Sequence, residues 1–384
     1  MTPLLPGATL GVMGGGQLGR MFVHAAQQLG YVTAVLDPDP SSPAGQVAHH
    51  HVHADYLDPQ GLARLADLSQ AITTEFENVP APALERLASQ RFVAPHAGAV
   101  AIAQDRAREK AHFEKCGVPC APHLLIESSE HLDAVRPELL PGILKTARLG
   151  YDGKGQQRVA THEELARAWD AFKRVPCVLE KLLPLDFECS VVVARGADGG
   201  MVHLPVARNL HRDGILAVSE VFEGNVPEAP GRAAIEATCA IAQGLGYVGV
   251  LCVEFFGLAD GSLVVNEMAP RPHNSGHWSL DGSDVSQFEL QVRTLAGLPL
   301  AKPRQHSAAV MLNLLGDLWF LSGREAPPPW APVLALPGVH LHLYGKETAR
   351  PGRKMGHLTV TAPDASGARR VAREAAQLLG IAPF

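Results

Sequence analysis

The sequence predicts an α/β domain at the N-terminus, an α+β region after it, and a small β-containing piece at the C-terminus. A strand at residues 9–13, a glycine turn, a helix at 20–29 and a strand at 31–36 form a βαβ unit. From Gly142 on, short apolar strands alternate with glycine turns, which is typical of an α+β domain. The proline-rich residues 324–332 then separate about 50 C-terminal residues, which contain a strand and a final helix.

Composition restricts the possible functions. The chain has 384 residues, of which 46% are hydrophobic, enough for two or three domains. Its net charge of −6 does not favour sequence-independent nucleic-acid binding. No apolar run approaches the ~20 residues that span a bilayer, and the N-terminus lacks the basic region of a signal peptide. The six scattered cysteines do not form a disulfide framework, so we expect a cytoplasmic protein.

The first motif is the glycine turn at residues 14–19. It follows a strand and opens a helix, so its amide groups and the positive helix end favour a phosphate. Asp37 closes the second strand, where a nicotinamide enzyme holds a ribose hydroxyl. The turn alone leaves dinucleotide binding, mononucleotide binding and a purely structural role open.

Two histidine-containing segments imitate metal sites, but we expect neither to bind an ion. Residues 49–53 contain four histidines, which strand alternation would divide between two faces. His112 and Cys116 lie one helical turn apart, but Gly117 and Pro119 break the helix before Cys120. A buried thiol is the better interpretation of this second segment.

A lysine and a glycine-rich loop predict a triphosphate site. Lys145 ends a strand, and the loop at residues 150–156 can close over phosphates with its amides and Lys154. After the next strand, the backbone at Glu180 can face an adenine and Glu188 can accept ribose hydroxyls. A surface hairpin and solvated carboxylates remain the alternatives at these positions.

Glu254 and Glu267 are the strongest candidates for metal ligands. Each lies in an apolar strand, and the Asp260-Gly261 turn between them predicts an antiparallel hairpin that brings both carboxylates together. Carboxylates in such strands are unfavourable unless they are paired or liganded. A magnesium ion bound to ATP phosphates is the natural partner of these two carboxylates. Salt bridges to the two glutamates are the alternative.

Two further segments are rich in hydrogen-bond donors. Residues 270–278 have no hydrophobic pattern and predict a binding loop. Near the C-terminus, Lys346, Arg350, Arg353 and Lys354 lie among glycines and form the only concentrated basic patch of the sequence. This patch suits a phosphate monoester, although a solvated turn is the alternative.

In combination, these motifs closely resemble the 5-(carboxyamino)imidazole ribonucleotide synthetase family of the ATP-grasp superfamily. The resemblance covers nearly the whole chain in order, and residues 269–278 are highly specific to the family. It implies a Rossmann-like (pre-ATP-grasp) domain at 1–105, an ATP-grasp small lobe at 106–180, a large lobe at 181–300 and a C-terminal substrate-closing region at 301–384. The other motifs that carry it are residues 14–20, 75–80, 150–156, 266–267 and 350–357.

The resemblance also implies an activity. ATP, bicarbonate and 5-aminoimidazole ribonucleotide would give the N5-carboxyamino product, ADP and phosphate through carboxyphosphate, in de novo purine synthesis. Magnesium would assist, and the protein would be a cytoplasmic homodimer. Leu185 departs from the family pattern, because an aromatic residue is usual between Glu180 and Glu188.

The family pattern assigns roles to individual residues. Magnesium would bind Glu254 and Glu267, and the catalytic residues would be Glu75, Asp152, Lys346 and Arg353. The ribonucleotide would contact Gly15, Gly16, Gln17, Leu18, Glu75, His273, Asn274, Ser275, Lys346, Arg353 and Lys354. ATP would contact Arg106, Lys145, Gly150, Tyr151, Asp152, Gly153, Lys154, Gly155, Gln156, Glu180, Lys181, Leu182, Leu183, Glu188, His211, Asn266 and Glu267.

Three alternatives remain. Another ATP-grasp ligase, such as a formate-dependent glycinamide ribonucleotide transformylase, would differ in the loop after Glu267 and in the basic turn at Arg353. A nicotinamide dehydrogenase would explain the glycine turn but would leave Glu254, Glu267 and the Lys154 loop without a role. A non-catalytic ATP-binding regulator is disfavoured because both candidate magnesium ligands are retained.

Overall fold

The computed structural model describes residues 2–150, 155–321 and 323–384. The N-terminal part is a parallel five-stranded sheet in the order β3-β2-β1-β4-β5 with helices on its faces. The predicted βαβ unit is confirmed. Because β1 pairs with β2 on one side and β4 on the other, the ends of β1 and β4 lie at the topological switch point, where such sheets bind ligands. The elements are β1 Thr9–Met13, α1 Gln17–Gln28, β2 Val32–Asp37, β3 His50–His53, α2 Pro59–Leu68, β4 Ala71–Thr74, α3 Ala81–Ala88, β5 Phe92–Val93 and α4 Ala97–Ala103.

A second, smaller sheet has four antiparallel strands in the order β6-β9-β7-β8. Its core contains Leu144, Leu179 and Trp169. Lys145 and Glu180 lie on the two central, neighbouring strands of this sheet, and the register places their side chains on the same face. The elements are α5 Arg106–Lys115, β6 His123–Ile126, α6 Ser129–Asp133, β7 Gly142–Thr146, β8 Gln156–Val159, α7 His162–Ala171 and β9 Cys177–Lys181, with a 3-10 helix at Pro137–Leu139.

The large sheet follows the order β15-β14-β10-β12-β13-β16-β18-β17, and β11 pairs with β10. All its pairs are antiparallel. Helices α8 and α12 cover hydrophobic side chains of this sheet. Its strands are β10 Leu185–Arg195, β11 Met201–His203, β12 Ala207–Arg212, β13 Ile215–Val221, β14 Gly249–Leu258, β15 Leu263–Ala269, β16 Ala308–Leu315, β17 Val339–Leu343 and β18 Lys354–Ala362.

The predicted C-terminal piece is continuous with the large sheet. Strand β16 precedes that proline-rich segment and pairs with β13 on one side and β18 on the other. The C-terminal residues therefore extend the large sheet. The remaining helices are α8 Glu228–Gly244, α9 Ser279–Gly282, α10 Gln287–Ala296, α11 Trp330–Leu334 and α12 Ala365–Leu379, with 3-10 helices at Asn274–Gly276 and Gly316–Trp319.

Local signals explain why some boundaries are sharp. The Asp364 side chain accepts a hydrogen bond from Gly367 N at 2.8 Å and caps α12. Gly380 ends the same helix with a left-handed φ of 70°. Helix α10 packs against both α1 and β14, so it joins the N-terminal domain to the large sheet. Among the described residues, no helix has the length and apolar character needed to cross a membrane.

Candidate active site

A cavity of about 770 Å³ lies where the three sheets meet. Its walls combine the switch point of the N-terminal sheet, the β14–β15 hairpin, the loop after β15 and the C-terminal basic turn. Residues predicted as site residues that line it are Gln17, Leu18, Glu75, Arg106, Gly150, Glu254, Glu267, His273, Asn274, Lys346, Arg353 and Lys354.

The glycine turn holds the protein's own carboxylates. Gly15 N donates to Asp37 Oδ2 at 2.6 Å, and Tyr56 Oη donates to the same oxygen. Gly16 N and Gly19 N donate to the two carboxylate oxygens of Glu75 at 2.9 and 3.0 Å. These amides and Asp37 are therefore engaged within the protein, which does not support the dinucleotide alternative.

Close approach explains the glycines of this turn. A Cβ atom on Gly16 would lie 2.5 Å from Glu75 Oε1, and one on Gly15 would lie 2.5 Å from the Ser42 side chain. Burial raises the pKa of Glu75, while the two amide hydrogen bonds act in the opposite direction. Glu75 thus reaches the cavity as an acidic group that the turn holds in place.

On the opposite side, buried ion pairs surround Glu180. Lys145 Nζ lies 3.0 Å from one Glu180 carboxylate oxygen and Lys110 Nζ lies 3.1 Å from the other. Burial opposes ionisation of Glu180, but the two ammonium groups outweigh it and lower its pKa to about 2. Lys145 also contacts Asn266 Oδ1 at 3.4 Å. The structure thus brings together Lys145, Glu180 and Asn266.

The next residues of this segment make backbone contacts. Lys181 N donates to Pro122 O at 2.9 Å and Leu182 N donates to Pro141 O at 3.0 Å, so these two donors are engaged within the protein. Leu183 follows in the connection to β10. Leu185, the departure from the family pattern, is 45% exposed.

The β14–β15 hairpin places Glu254 directly opposite Glu267, which confirms the predicted antiparallel pairing. Arg106 Nη1 donates to Glu267 Oε2 at 3.0 Å and, against the effect of burial, lowers the pKa of Glu267. Burial raises the pKa of Glu254 to about 7. Glu254 Oε1 is buried without a hydrogen-bond partner in the described part of the chain. Two carboxylates with an unsatisfied oxygen fit a hard cation such as Mg²⁺.

His211 links this pair to Glu188. Its Nδ1 forms a short ion pair with Glu188, and its Nε2 lies 3.9 Å from Glu254 Oε1. Burial opposes protonation, but the hydrogen bond with Glu188 and the charge of Glu254 raise the pKa of His211 to about 9. Glu188, His211 and Glu254 are therefore one electrostatic unit.

The loop at residues 270–278 closes the cavity from the large sheet. His273 Nε2 lies 3.6 Å from Glu254 Oε1. Both side-chain polar atoms of Asn274 are buried without a partner among the described residues, although Asn274 lines the cavity. A ligand would satisfy them. Ser275 is buried behind the loop, where its Oγ lies 2.7 Å from Ser190 Oγ, so it does not line the cavity.

The basic turn faces the cavity from the C-terminal strands. Lys346 Nζ donates to Lys354 O at 2.6 Å, and Arg353 Nη1 donates to Thr348 O at 2.7 Å. These backbone contacts fix the two side chains relative to each other. Arg350 lines the same wall.

Other predicted residues have different positions. Tyr151, Asp152, Gly153 and Lys154 lie outside the described residues. Gly155 has a left-handed φ of 69° and Gln156 begins β8. Gly15, Gly16, Lys145, Glu180 and Asn266 are not among the residues that line the large cavity. Glu188 and His211 line a second cavity of about 450 Å³.

Sequence reasoning missed several residues at this site. Lys110 lies in α5 and pairs with Glu180, and none of the motifs described above includes it. Glu109 accepts a hydrogen bond from Met268 N at 2.7 Å, and burial raises its pKa to about 8. Arg271 pairs with Glu77 across the cavity wall. A signal existed for this last pair, since both residues lie in segments that resemble family motifs.

The two segments whose histidines and cysteines resemble metal sites in sequence, residues 49–53 and 112–120, do not line this cavity. Cys116 Sγ lies 3.4 Å from His112 Nε2, and burial raises the pKa of the Cys120 thiol to about 11. The potential ligand group found among the described residues is instead Asp281, His342 and His357. The rings of His342 and His357 stack at an interplanar angle of 10°, so their in-plane lone pairs do not converge on one ion.

Comparison with known proteins places all three parts of the chain. Residues 7–104 match the ribonucleotide synthetase preATP-grasp domain, residues 111–288 the ATP-grasp domain, and residues 309–371 the phosphoribosylaminoimidazole carboxylase C-terminal domain. The predicted fold class is thereby confirmed.

Whole-chain similarity is also high. An N5-carboxyaminoimidazole ribonucleotide synthase of Brucella melitensis is 45% identical over 365 residues, which cover 94% of this chain and 98% of the relative. A crystal structure of N5-carboxyaminoimidazole synthetase from Staphylococcus aureus complexed with ADP is 35% identical, with a TM-score of 0.89 and 98% coverage of both chains. A crystal structure of the Aspergillus clavatus synthase in complex with ADP and 5-aminoimidazole ribonucleotide is 31% identical, with a TM-score of 0.89 and coverage of 98% and 100%.

Proposed function

The chain belongs to the N5-carboxyaminoimidazole ribonucleotide synthase family, and we propose that it uses ATP and bicarbonate to carboxylate 5-aminoimidazole ribonucleotide. It is an ATP-dependent ligase of purine biosynthesis with an ATP-grasp fold. One observation carries the proposal. The candidate magnesium ligands Glu254 and Glu267 line the same cavity as the basic turn with Lys346 and Arg353, so two phosphorylated substrates could meet there.

ATP would bind on the side of the small sheet. Lys145 and Arg106 supply positive charge, and Glu188 supplies a carboxylate for ribose hydroxyls. Asn266, His211 and the segment from Glu180 to Leu183 complete this side. The loop with Gly150, Lys154 and Gln156 would close over the phosphates, which would exclude water from the reactive intermediate.

Magnesium would bind Glu254 and Glu267 together with phosphate oxygens. The ion would neutralise charge that develops on the transferred phosphoryl group. Oε1 of Glu254 has no hydrogen-bond partner in the described ranges of the chain, which supports this assignment, because a buried carboxylate oxygen with no donor is otherwise unfavourable.

The ribonucleotide would bind between the basic turn and the switch point. Lys346, Arg353 and Lys354 would hold its 5′-phosphate, because the glycine-turn amides are already bonded to Glu75 and Asp37. Gln17, Leu18 and Glu75 would then contact its ribose or base. Asn274, whose two side-chain polar atoms have no partner among the residues that the structure describes, would be a further contact.

The chemistry follows from the weak electrophilicity of bicarbonate. An oxygen of bicarbonate would attack the γ-phosphorus of ATP, and ADP would leave, which gives carboxyphosphate. The carboxyl carbon, directly or as carbon dioxide, would then join the exocyclic amine, which loses a proton, and phosphate would leave. The chain's part would be positioning and charge neutralisation. The sequence resemblance assigns catalytic roles to Asp152, Lys346 and Arg353.

We also propose that the protein is a cytoplasmic homodimer, as the sequence resemblance implies. The resemblance likewise predicts domain boundaries at residues 105, 180 and 300. A formate-dependent glycinamide ribonucleotide transformylase is not favoured, because the relatives described above carry the name of the carboxylating enzyme.

A coupled assay of ADP release tests the proposal. We expect rapid release only when ATP, magnesium, bicarbonate and 5-aminoimidazole ribonucleotide are all present. Formate with glycinamide ribonucleotide serves as the control pair. ADP release that required formate and glycinamide ribonucleotide would contradict the proposed function. ADP release at the same rate with and without bicarbonate would also contradict it.

A further inference from the structure

One buried amide outside the cavity holds the loop that closes it. Gln287 begins α10 and its side chain is fully buried. Its Oε1 accepts a hydrogen bond from His273 N at 2.9 Å, and its Nε2 donates to His273 O at 2.8 Å. The Gln287 side chain thus forms hydrogen bonds with both the backbone N–H and the backbone C=O of His273. Gly276 leaves room for it, since a Cβ there would lie 2.4 Å from Gln287 Oε1.

The same amide also orients a second loop residue. Gln287 Nε2 lies 2.9 Å from His277 Nδ1. Burial lowers the pKa of His277 well below its usual range, so the ring is neutral and its Nδ1 can accept this hydrogen bond. The proton of the ring is then on Nε2.

These two contacts reach both halves of the candidate site. His273 Nε2 lies 3.6 Å from Glu254 Oε1, which has no hydrogen bond to any described residue. The His277 ring packs on His357 of β18, with centroids 4.7 Å apart. Strand β18 begins at Lys354, so the second contact runs to the wall that carries the basic turn.

We propose that Gln287 is a positioning residue for the carboxylation: its amide fixes His273 against the magnesium carboxylate Glu254 and, through His277, aligns the basic turn with that carboxylate. The inference rests on the proposed function. Gln287 does not line the cavity, so it acts through the loop. Small displacements of reacting groups lower turnover more than they lower substrate affinity.

Gln287→Met tests this role, because methionine keeps the length of the side chain and removes the amide. We expect kcat to fall by about 10- to 100-fold, while KM for ATP changes by less than about threefold. Gln291→Met is the matched control. Gln291 is buried one turn later on α10, and its Nε2 lies 3.3 Å from Thr73 Oγ1 and Thr74 O, away from the loop. Both variants should lower Tm by a similar amount, because each removes buried hydrogen bonds, but only Gln287→Met should lower kcat.

Gln287→Glu adds a readout that a purely structural role would not change. An ionised carboxylate cannot donate to His273 O, whereas a protonated one can donate once and still accept from His273 N. The kcat of Gln287→Glu relative to wild type should therefore rise as the pH falls, and the same ratio for Gln287→Met should stay flat. If Gln287→Met does not fold, the pH series of Gln287→Glu decides.

Three outcomes overturn the inference: wild-type kcat in folded Gln287→Met, equal loss of kcat in Gln287→Met and Gln291→Met, or a flat pH ratio for Gln287→Glu. Failure of the proposed function is distinguishable, because wild-type protein would then lack ADP release that depends on bicarbonate and ribonucleotide. An active wild type with an unaffected Gln287→Met contradicts the positioning role alone.

Discussion

Two pairs of carboxylates near the same cavity differ in the groups that satisfy them. Asp37 and Glu75 accept hydrogen bonds from backbone amides of the glycine turn. Glu254 and Glu267 instead face the side chains of Arg106, His211 and His273, and one Glu254 oxygen has no hydrogen bond within the described residues. Amide donors fixed by the fold make a carboxylate part of the scaffold. Side chains can give way to a cation, so the second pair is available for metal binding.

The largest expected difference between the two pairs is in turnover. Glu267→Gln should lower kcat by about 100-fold or more, because a neutral amide weakens magnesium neutralisation of the phosphates, worth several kcal/mol. Circular dichroism and Tm should remain close to those of wild type. Near-normal activity at ordinary magnesium concentrations would contradict the metal role.

Asp37→Asn is the matched variant in the other pair. Gly15 N and Tyr56 Oη both donate hydrogen bonds to the Asp37 carboxylate. The asparagine amide has one acceptor oxygen fewer, so the substitution should lower the free energy of unfolding by about 1–3 kcal/mol. Chemical denaturation measures this loss. The folded fraction should retain kcat within about threefold, since Asp37 is outside the cavity. A loss of kcat as large as that of Glu267→Gln would remove the distinction between the two pairs.

The next effect concerns the basic turn. Asp37 and Glu75 already accept the hydrogen bonds of the glycine-turn amides, so the basic turn should bind the ribonucleotide phosphate. Arg353→Ala should raise KM for 5-aminoimidazole ribonucleotide by about tenfold or more and leave KM for ATP nearly unchanged. Arg370→Ala, at an exposed position of α12, is the control and should change neither constant. If KM for ATP rose instead, the turn would belong to the nucleotide side.

A smaller effect should appear in the pH dependence of stability near the magnesium pair. The pKa of His211 is raised to about 9, so between its ordinary value and pH 9 the folded state holds a proton that the unfolded state has lost. Raising the pH through this window should lower the free energy of unfolding by on the order of 1–3 kcal/mol. His211→Gln and Glu188→Gln should each flatten this slope in denaturation measured without nucleotide. An unchanged slope in both variants would contradict the ion pair.

The smallest expected signal is an absence of binding. Because Asp37 and the turn amides are bonded to each other and to Glu75, NAD should give no heat of binding at micromolar concentrations in calorimetry. ATP with magnesium is the positive control. Micromolar affinity for NAD would mean that the turn can release its carboxylates.

The sequence predicted elements that depend on local signals. Strand β1, helix α12 and the β14–β15 hairpin depend on signals within or next to the elements themselves: a short apolar run before a glycine turn, a capping aspartate and an Asp-Gly turn. Twelve of the 28 described residues that line the cavity were also among the predicted site residues, through the family resemblance.

The missed features depend on distant partners. Gly16 and Glu75 are 59 positions apart, and Lys110 and Glu180 are 70 apart, so no local pattern reveals that one satisfies the other. The pairing of β13 with β16 likewise joins segments on either side of α8 and the hairpin. This pairing attaches the predicted C-terminal piece to the large sheet, and no local pattern reveals it, because strand order is decided by tertiary packing.

Transfer of oxygen from bicarbonate to phosphate tests the central claim most directly. If bicarbonate attacks ATP, the oxygen that forms the new P–O bond stays with phosphorus when carboxyphosphate breaks down. With ¹⁸O-labelled bicarbonate, we expect one labelled oxygen in each phosphate released, measured by ³¹P nuclear magnetic resonance during turnover with 5-aminoimidazole ribonucleotide. Unlabelled phosphate formed alongside carboxylated product would contradict activation of bicarbonate by ATP, and with it the account of this site.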